Sequence, residues 1–380
     1  MSYLHLVSPL TRVFTLPAPL DLELGGTLPQ AQVAYRTWGQ LNPRGNNAVL
    51  VCHALTGTAD LDDWWQPLLG VGRSLDPSRD FIICSNILGS CYGTTGPTSP
   101  NPATGQPYGP EFPPITVRDM VRAQAKLLTG LGVGSLRLVI GGSLGGMQAL
   151  EWGCQYSDWV ESLVVIAAPG RHSAWCIGLS EAQRQAIYTD PQWQGGYYSA
   201  DAPPVQGLAV ARMVAMSTYR SWTSFQQRFA RASVDRGLDG QDDRTPSPYA
   251  ITDYLQYQGA KLVSRFDANS YIILTQAMDC HDVGGGQPNL GSTPDQRYRR
   301  ALGQMTQPTL VVAIATDILY PPVEQKELVS LIPRAELSWL QSAHGHDGFL
   351  IDMEALNQQV LDFRLKIRPG PQGWAPTKHC

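Results

Sequence analysis

The sequence lacks a charge excess of either sign, paired cysteines and long apolar runs, and each shortage closes off a class of function. Lys and Arg number 28 against 32 Asp and Glu, a net charge of −4 with no basic block and no acidic tail. Such a balance offers no electrostatic hold to nucleic acid or to an anionic membrane surface. The seven cysteines fall at 52, 84, 91, 154, 176, 280 and 380, an odd number with no C-x-x-C pair. Neither a zinc knuckle nor a disulfide framework is indicated. No apolar stretch approaches the length that spans a bilayer. The first residues, MSYLHLVSPLTRVF, have neither the basic start nor the apolar run of a secretion signal. The expectation is a soluble, reduced, cytoplasmic chain with no metal and no bound cofactor.

What is present is enough apolar matter for a large core: 43% of 380 residues are hydrophobic. Six apolar runs end in Gly, Asn, Asp or Ser, or in small residues, as buried parallel strands do when they open into loops. These are NAVLVCHAL (47–55), FIICSNIL (81–88), LRLVIGG (136–142), VESLVVIAA (160–168), TLVVAIATD (309–317) and AELSWLQS (335–342). Helical patterns lie between several of them. TVRDMVRAQAKLLTGLG (116–132) opens with Thr116 as an N-cap, has Asp119 three residues on, and stops at glycine. This alternation predicts an α/β fold with a mostly parallel sheet. Between about 170 and 295 the strand-like runs vanish, and helical segments are spaced by DPQWQGG, DAPP and DDRTPSP. The reading is a helical insertion, 170–295, in a core made of 1–169 and 296–380. The Pro/Gly-rich tail RPGPQGWAPTKHC is expected to fray.

Within VIGGSLGGMQAL (139–150), Ser143 stands among glycines 141, 142, 145 and 146, after a strand and before a helix. A nucleophile elbow G-x-S-x-G needs that context, because side chains at the flanking glycines would collide with the neighbouring strand or helix. The alternative is a glycine turn that serves packing alone. A serine hydroxyl needs a base to take its proton and an acid to orient that base, in chain order Ser, Asp/Glu, His. His346, in SAHGHDGFL after the last strand, is the candidate base in preference to His344. His172 and His281 fall in or beside the insertion, and His379 in the tail. Asp317, at the carboxyl end of its strand, is the candidate acid, and it doubles as a candidate cap for the helix that follows. The oxyanion hole is expected from the N–H groups of Leu144 and Leu55, with His53 a structural loop residue.

Taken together, HALTG, SNILGSCYGTTGPTSPNPATGQPYGPEFP, ITVRDMV, GGSLGGMQALEW, TYRSWTSF, AMDCHD and HGHDGFL resemble the homoserine O-acyltransferases of methionine biosynthesis, which have the α/β-hydrolase fold. The motifs run from about residue 30 to 350. Leu144 departs from the methionine more usual there, but only its N–H is required. The resemblance implies ping-pong transfer: an acyl-CoA acylates Ser143, and the side-chain hydroxyl of homoserine takes the acyl group. It also implies that Ser143, Asp317 and His346 form a triad. Arg212 would bind the homoserine carboxylate, Tyr219 would line the pocket, and Asp347 would take the amino group. A zwitterion suits one fixed cation and one fixed anion. The plainer alternative is a surface ion pair for Arg212 and core packing for Tyr219. The insertion resembles a lid that narrows a tunnel and mediates a homodimer. The apolar ILYPP after Asp317, lacking a cation, resembles the acetyl-type members rather than the succinyl-type ones, with acetyl-CoA as cosubstrate. A succinyl donor, a serine acceptor and plain ester hydrolysis are the alternatives.

Overall fold

The computed structural model describes residues 7–234 and 249–367; the DDRTPSP spacer and the tail from 368 lie outside them. Among the described residues ten strands form: β1 Arg12–Thr15, β2 Leu20–Asp21, β3 Thr27–Leu28, β4 Gln32–Trp38, β5 Ala48–Cys52, β6 Phe81–Ser85, β7 Leu136–Gly142, β8 Leu163–Ile166, β9 Thr309–Ile314 and β10 Ala335–Leu340. The six apolar runs are β5 to β10, and they pair in parallel in the order β6-β5-β7-β8-β9-β10. The antiparallel strands β4 and β1 extend the β6 edge to eight strands. These two strands and the β2–β3 hairpin are additions to the sequence reading.

Alternate residues of each central strand enter two different cores, because successive side chains point to opposite faces. In β5, Leu50 and Cys52 join one core; Val49 and Val51 join the other. The first face is covered by α2 Val117–Gly130 and α3 Leu144–Gln155. The second is covered by the short α1 Leu61–Trp64 and by Leu356, Val360 and Phe363 of α11 Met353–Ile367. With both faces covered, a central strand has no polar side, which is why these runs read as continuously apolar. Helix α2 starts as expected: Thr116 caps it and Asp119 returns a bond to the Thr116 N–H, a reciprocal capping box.

Between β8 and β9 the described residues form helices: α4 Ala174–Tyr188, α5 Val205–Tyr219, α6 Trp222–Arg228, α7 Ala250–Val263, α8 Ala268–Asp279 and α9 Pro294–Gly303. Helix α9 packs back on the core, its Tyr298 hydroxyl bonded to Glu327 at 3.0 Å in α10 Pro322–Leu331. It carries the chain to the amino end of β9, as a parallel pair requires.

Candidate active site

The candidate residues gather beyond the carboxyl ends of β5, β7, β9 and β10, where the loops of an open parallel sheet form a crevice. Ser143 follows β7 directly with φ 59° and ψ −127°, a conformation that L-residues avoid. The flanking glycines allow it. A Cβ on Gly145 would overlap the Cys52 carbonyl oxygen at the end of β5, and one on Gly141 would overlap the Gly145 carbonyl. Helix α3 therefore starts in backbone contact with the neighbouring strand. Leu144 is its first residue, so its N–H is one of those that a helix leaves without an internal partner. The loop that carries Leu55 is fastened alongside, because Gln148 of α3 donates to the His53 carbonyl at 3.3 Å.

His53 serves that loop. Its Nδ1 lies 2.8 Å from the Ala54 carbonyl, and its Nε2 accepts the Ile87 N–H at 3.2 Å. Burial pushes the ring down to about 4, so it stays neutral. With both nitrogens occupied it is the structural histidine expected.

His346 lies in a 3-10 turn, Gly345–Leu350, with Nδ1 2.7 Å from Asp317 Oδ2. Both groups are buried. Burial alone would lower the imidazole, but the charge and hydrogen bond of Asp317, with a further contribution from Asp347, outweigh it and raise His346 above its ordinary value. Asp317 stands three residues beyond β9, and its Oδ1 accepts the N–H groups of Leu319 and Tyr320 at 2.8 and 3.0 Å. It is thus fixed by its own turn. The helix-cap expectation is corrected: the cap position of α10 is Pro321, with no side-chain bond. His344 is separated from this pair, its Nδ1 facing Ser224 Oγ of α6 at 3.3 Å.

Aromatic rings enclose the base. Tyr219, Tyr320 and Phe349 have centroids 5.7, 5.2 and 5.6 Å from that of His346. Phe349 also reaches the elbow, since a Cβ on Gly142 would come within 2.7 Å of its ring. On the insertion side, a Cβ on Gly345 would meet the backbone of residues 219–221 within 2.7 to 3.1 Å, so the turn bearing His346 lies directly against the end of α5.

Arg212 and Tyr219, two turns apart on α5, share a face as their spacing implies: the guanidinium lies 5.4 Å from the ring centroid. Among the described residues Arg212 makes no ion pair or hydrogen bond, so the surface ion pair is not its arrangement. Asp347 has a partner beyond the Arg212 that the resemblance sets opposite it: its Oδ2 lies 3.2 Å from Arg220 Nε. Arg220 follows Tyr219 in TYRS and is a residue that the sequence pattern does not single out. Burial raises Asp347 against the opposing pull of Arg220, His346 and Arg212. Arg220 is also a cation beside the site where the apolar ILYPP is read as lacking one, and it faces Asp347.

No group of three or more His, Cys, Asp or Glu among the described residues is placed to hold a metal ion. No described helix is long and apolar enough to cross a membrane.

A mostly parallel sheet with a serine on the turn after β7, an acid after β9 and a histidine after β10 defines the α/β-hydrolase fold. A family model of that fold matches residues 47–352. The chain is 63% identical over 362 residues to homoserine O-acetyltransferase of Nostoc punctiforme, covering 95% of this chain and 98% of that one. Solved structures include homoserine O-acetyltransferase from Bacillus anthracis, with TM-score 0.82 at 25% identity over 93% of this chain and 97% of that one. Esterase E22 is as similar, with TM-score 0.82 at 27% identity over 93% and 99%. The chain belongs to the homoserine O-acetyltransferase family of α/β-hydrolase-fold enzymes.

Proposed function

We propose that this chain transfers an acetyl group from acetyl-CoA to the side-chain hydroxyl of L-homoserine, for methionine biosynthesis, through an acyl-enzyme on Ser143. His346, held by Asp317, takes the Ser143 proton as Oγ attacks the thioester carbonyl. The N–H groups of Leu144 and Leu55 receive the oxyanion. As the intermediate collapses the C–S bond breaks, and His346 returns the proton to the departing thiolate. The homoserine hydroxyl then attacks the acetyl-serine, His346 takes its proton, and collapse hands that proton back to Ser143.

A shared sheet and elbow do not separate a transferase from a hydrolase, as the likeness to an esterase makes plain. The observation that carries the transferase reading is Arg212, a half-buried cation without a counter-ion among the described residues and stacked on the tyrosine that flanks His346. A substrate carboxylate satisfies it. Asp347 receives the substrate ammonium while shared with Arg220. The helical insertion, residues 170–295 in this reading, shields the acyl-enzyme from water. The six cysteines among the described residues are free, which supports a reducing, cytoplasmic setting, and exposed Trp175, Trp222 and Tyr257 on the insertion support a homodimer through it.

The test is purified protein with acetyl-CoA, with and without homoserine, following free thiol and O-acetylhomoserine. Homoserine-dependent product supports the reading. Thiol release indifferent to homoserine, with acetate as the sole acyl product, overturns it in favour of hydrolysis. Succinyl-CoA and serine run in parallel decide the donor and acceptor.

A further inference from the structure

Two histidines set aside in the search for a base lie where the insertion leaves and rejoins the core. Residues 170–172 and 281–283 run side by side there. The His172 N–H donates to the His281 carbonyl at 2.9 Å, and the Val283 N–H to the Gly170 carbonyl at 3.1 Å. From this neck the His172 side chain reaches inward and is almost fully buried. Its Nδ1 lies 3.0 Å from Asp279 Oδ1 at the end of α8, and its Nε2 3.2 Å from the Tyr320 hydroxyl. The second Asp279 oxygen is held by Arg184 of α4 at 2.7 Å. A carboxylate only accepts, so Nδ1 carries a hydrogen, and in the neutral imidazole Nε2 then accepts from Tyr320.

Tyr320 stands at the other end of this chain of bonds. It is wholly buried, three residues beyond Asp317, and its N–H is one of the two donors that fix Asp317 Oδ1. Its ring meets His346 edge-on, with 5.2 Å between centroids and 73° between planes. One rigid side chain thus borders both members of the acid–base pair, while its hydroxyl is anchored at the neck of the insertion. Burial pushes the phenol well above its ordinary value, so it keeps its proton and acts as a fixed donor.

We infer that Tyr320 and His172 are positioning residues: they make the orientation of His346 depend on how the helical insertion sits on the core. The inference rests on His346 being the base of the proposed acyl transfer. Without the Tyr320–His172 bond the ring is free to rock in its slot, and the Asp317–His346 bond that it buttresses loosens.

The experiment compares Tyr320→Phe, His172→Leu and His172→Gln with the unaltered chain, in acetyl-CoA:homoserine assays across pH and in thermal melts. Tyr320→Phe keeps the ring and deletes one hydroxyl. It is expected to lower kcat about tenfold, the order of one buried hydrogen bond. It is also expected to move the acidic limb of the profile toward the ordinary histidine value, with KM for homoserine unchanged. His172→Leu is expected to match it. His172→Gln, which can offer an acceptor near the Nε2 position, recovers part of both effects and is the mildest change if the others fold poorly. The double variant Tyr320→Phe/His172→Leu is no slower than the worse single one, because both remove one bond. A shift in melting or KM alone, with kcat and the acidic limb unmoved, overturns the inference and leaves a structural anchor. An inactive unaltered chain, or an Asp317→Asn variant with full activity, instead defeats the reading of the base on which it rests.

Discussion

Removing the proposed nucleophile, Ser143, by two routes should give two proteins of different stability. Ser143 has φ 59° and ψ −127° without being glycine. Backbones held in such regions cost about 1–3 kcal/mol each. Ser143→Ala keeps that strain and deletes only a hydroxyl. Ser143→Gly relieves it, taken as about 2 kcal/mol, and incurs about 0.5–1 kcal/mol of extra chain entropy relative to alanine. The glycine variant is therefore expected to be the more stable of the two by about 1 kcal/mol, although both are inactive. At about 2.1 cal/mol/K per residue, that difference moves the melting point of a chain this long by only about 1 °C. Equilibrium denaturant titration is the better assay, with Ser143→Ala as reference. The usual order, glycine less stable than alanine by about 1 kcal/mol, would refute the claim that the elbow is a strained backbone held by its surroundings.

Two further outcomes concern the chemistry. His346 must be neutral to accept a proton, and its environment favours the charged form, so activity should fall with acid through a midpoint above 6.5. Asp317→Asn removes the main opposing influence on burial; the limb should drop below 6.5 and kcat should fall about 10³- to 10⁴-fold, read from a pH–rate profile. Arg212→Ala should raise the homoserine KM about a hundredfold, yet leave the first thiol release from acetyl-CoA near its original rate, as pre-steady-state mixing would record. Equal losses in both half-reactions would place Arg212 elsewhere in the cycle.

Much of this architecture was legible because its signals are local. The six parallel strands announce themselves as apolar runs, since both faces are covered. The elbow does so through glycines whose absent side chains make room for Cys52 and Gly145 carbonyls. Chain order and strand ends alone single out Asp317 and His346, which the fold brings within 2.7 Å of each other. The strands β1 and β4 escaped because they carry polar and exposed positions, among them Arg12, Thr15 and Gln32, that break the apolar run. Arg220 escaped for another reason: nothing around TYRS tells which of its neighbours will face Asp347, far along the chain. The same holds for Tyr320, which reads as an apolar loop residue until the fold sets it between His172 and His346. Pairings across the insertion are decided by tertiary packing, and no periodicity announces them.

The neck at 170–172 and 281–283 also bears on how such a molecule can be altered. Two short backbone segments, hydrogen-bonded to each other, are the point at which the helices from α4 to α8 are strung on the sheet. A cassette whose two ends leave and rejoin the core side by side can be lengthened, reshaped or exchanged without disturbing the order of the strands beneath it. Among the contacts any replacement must restore are an acceptor for the Tyr320 hydroxyl at the neck, a stretch of backbone flat enough to receive Gly345, and a donor such as Arg265 for the Thr56 carbonyl. On the proposed function, acceptor choice is partly open to revision in the cassette, which carries Arg212, while Ser143, Asp317, His346 and Asp347 stay with the frame.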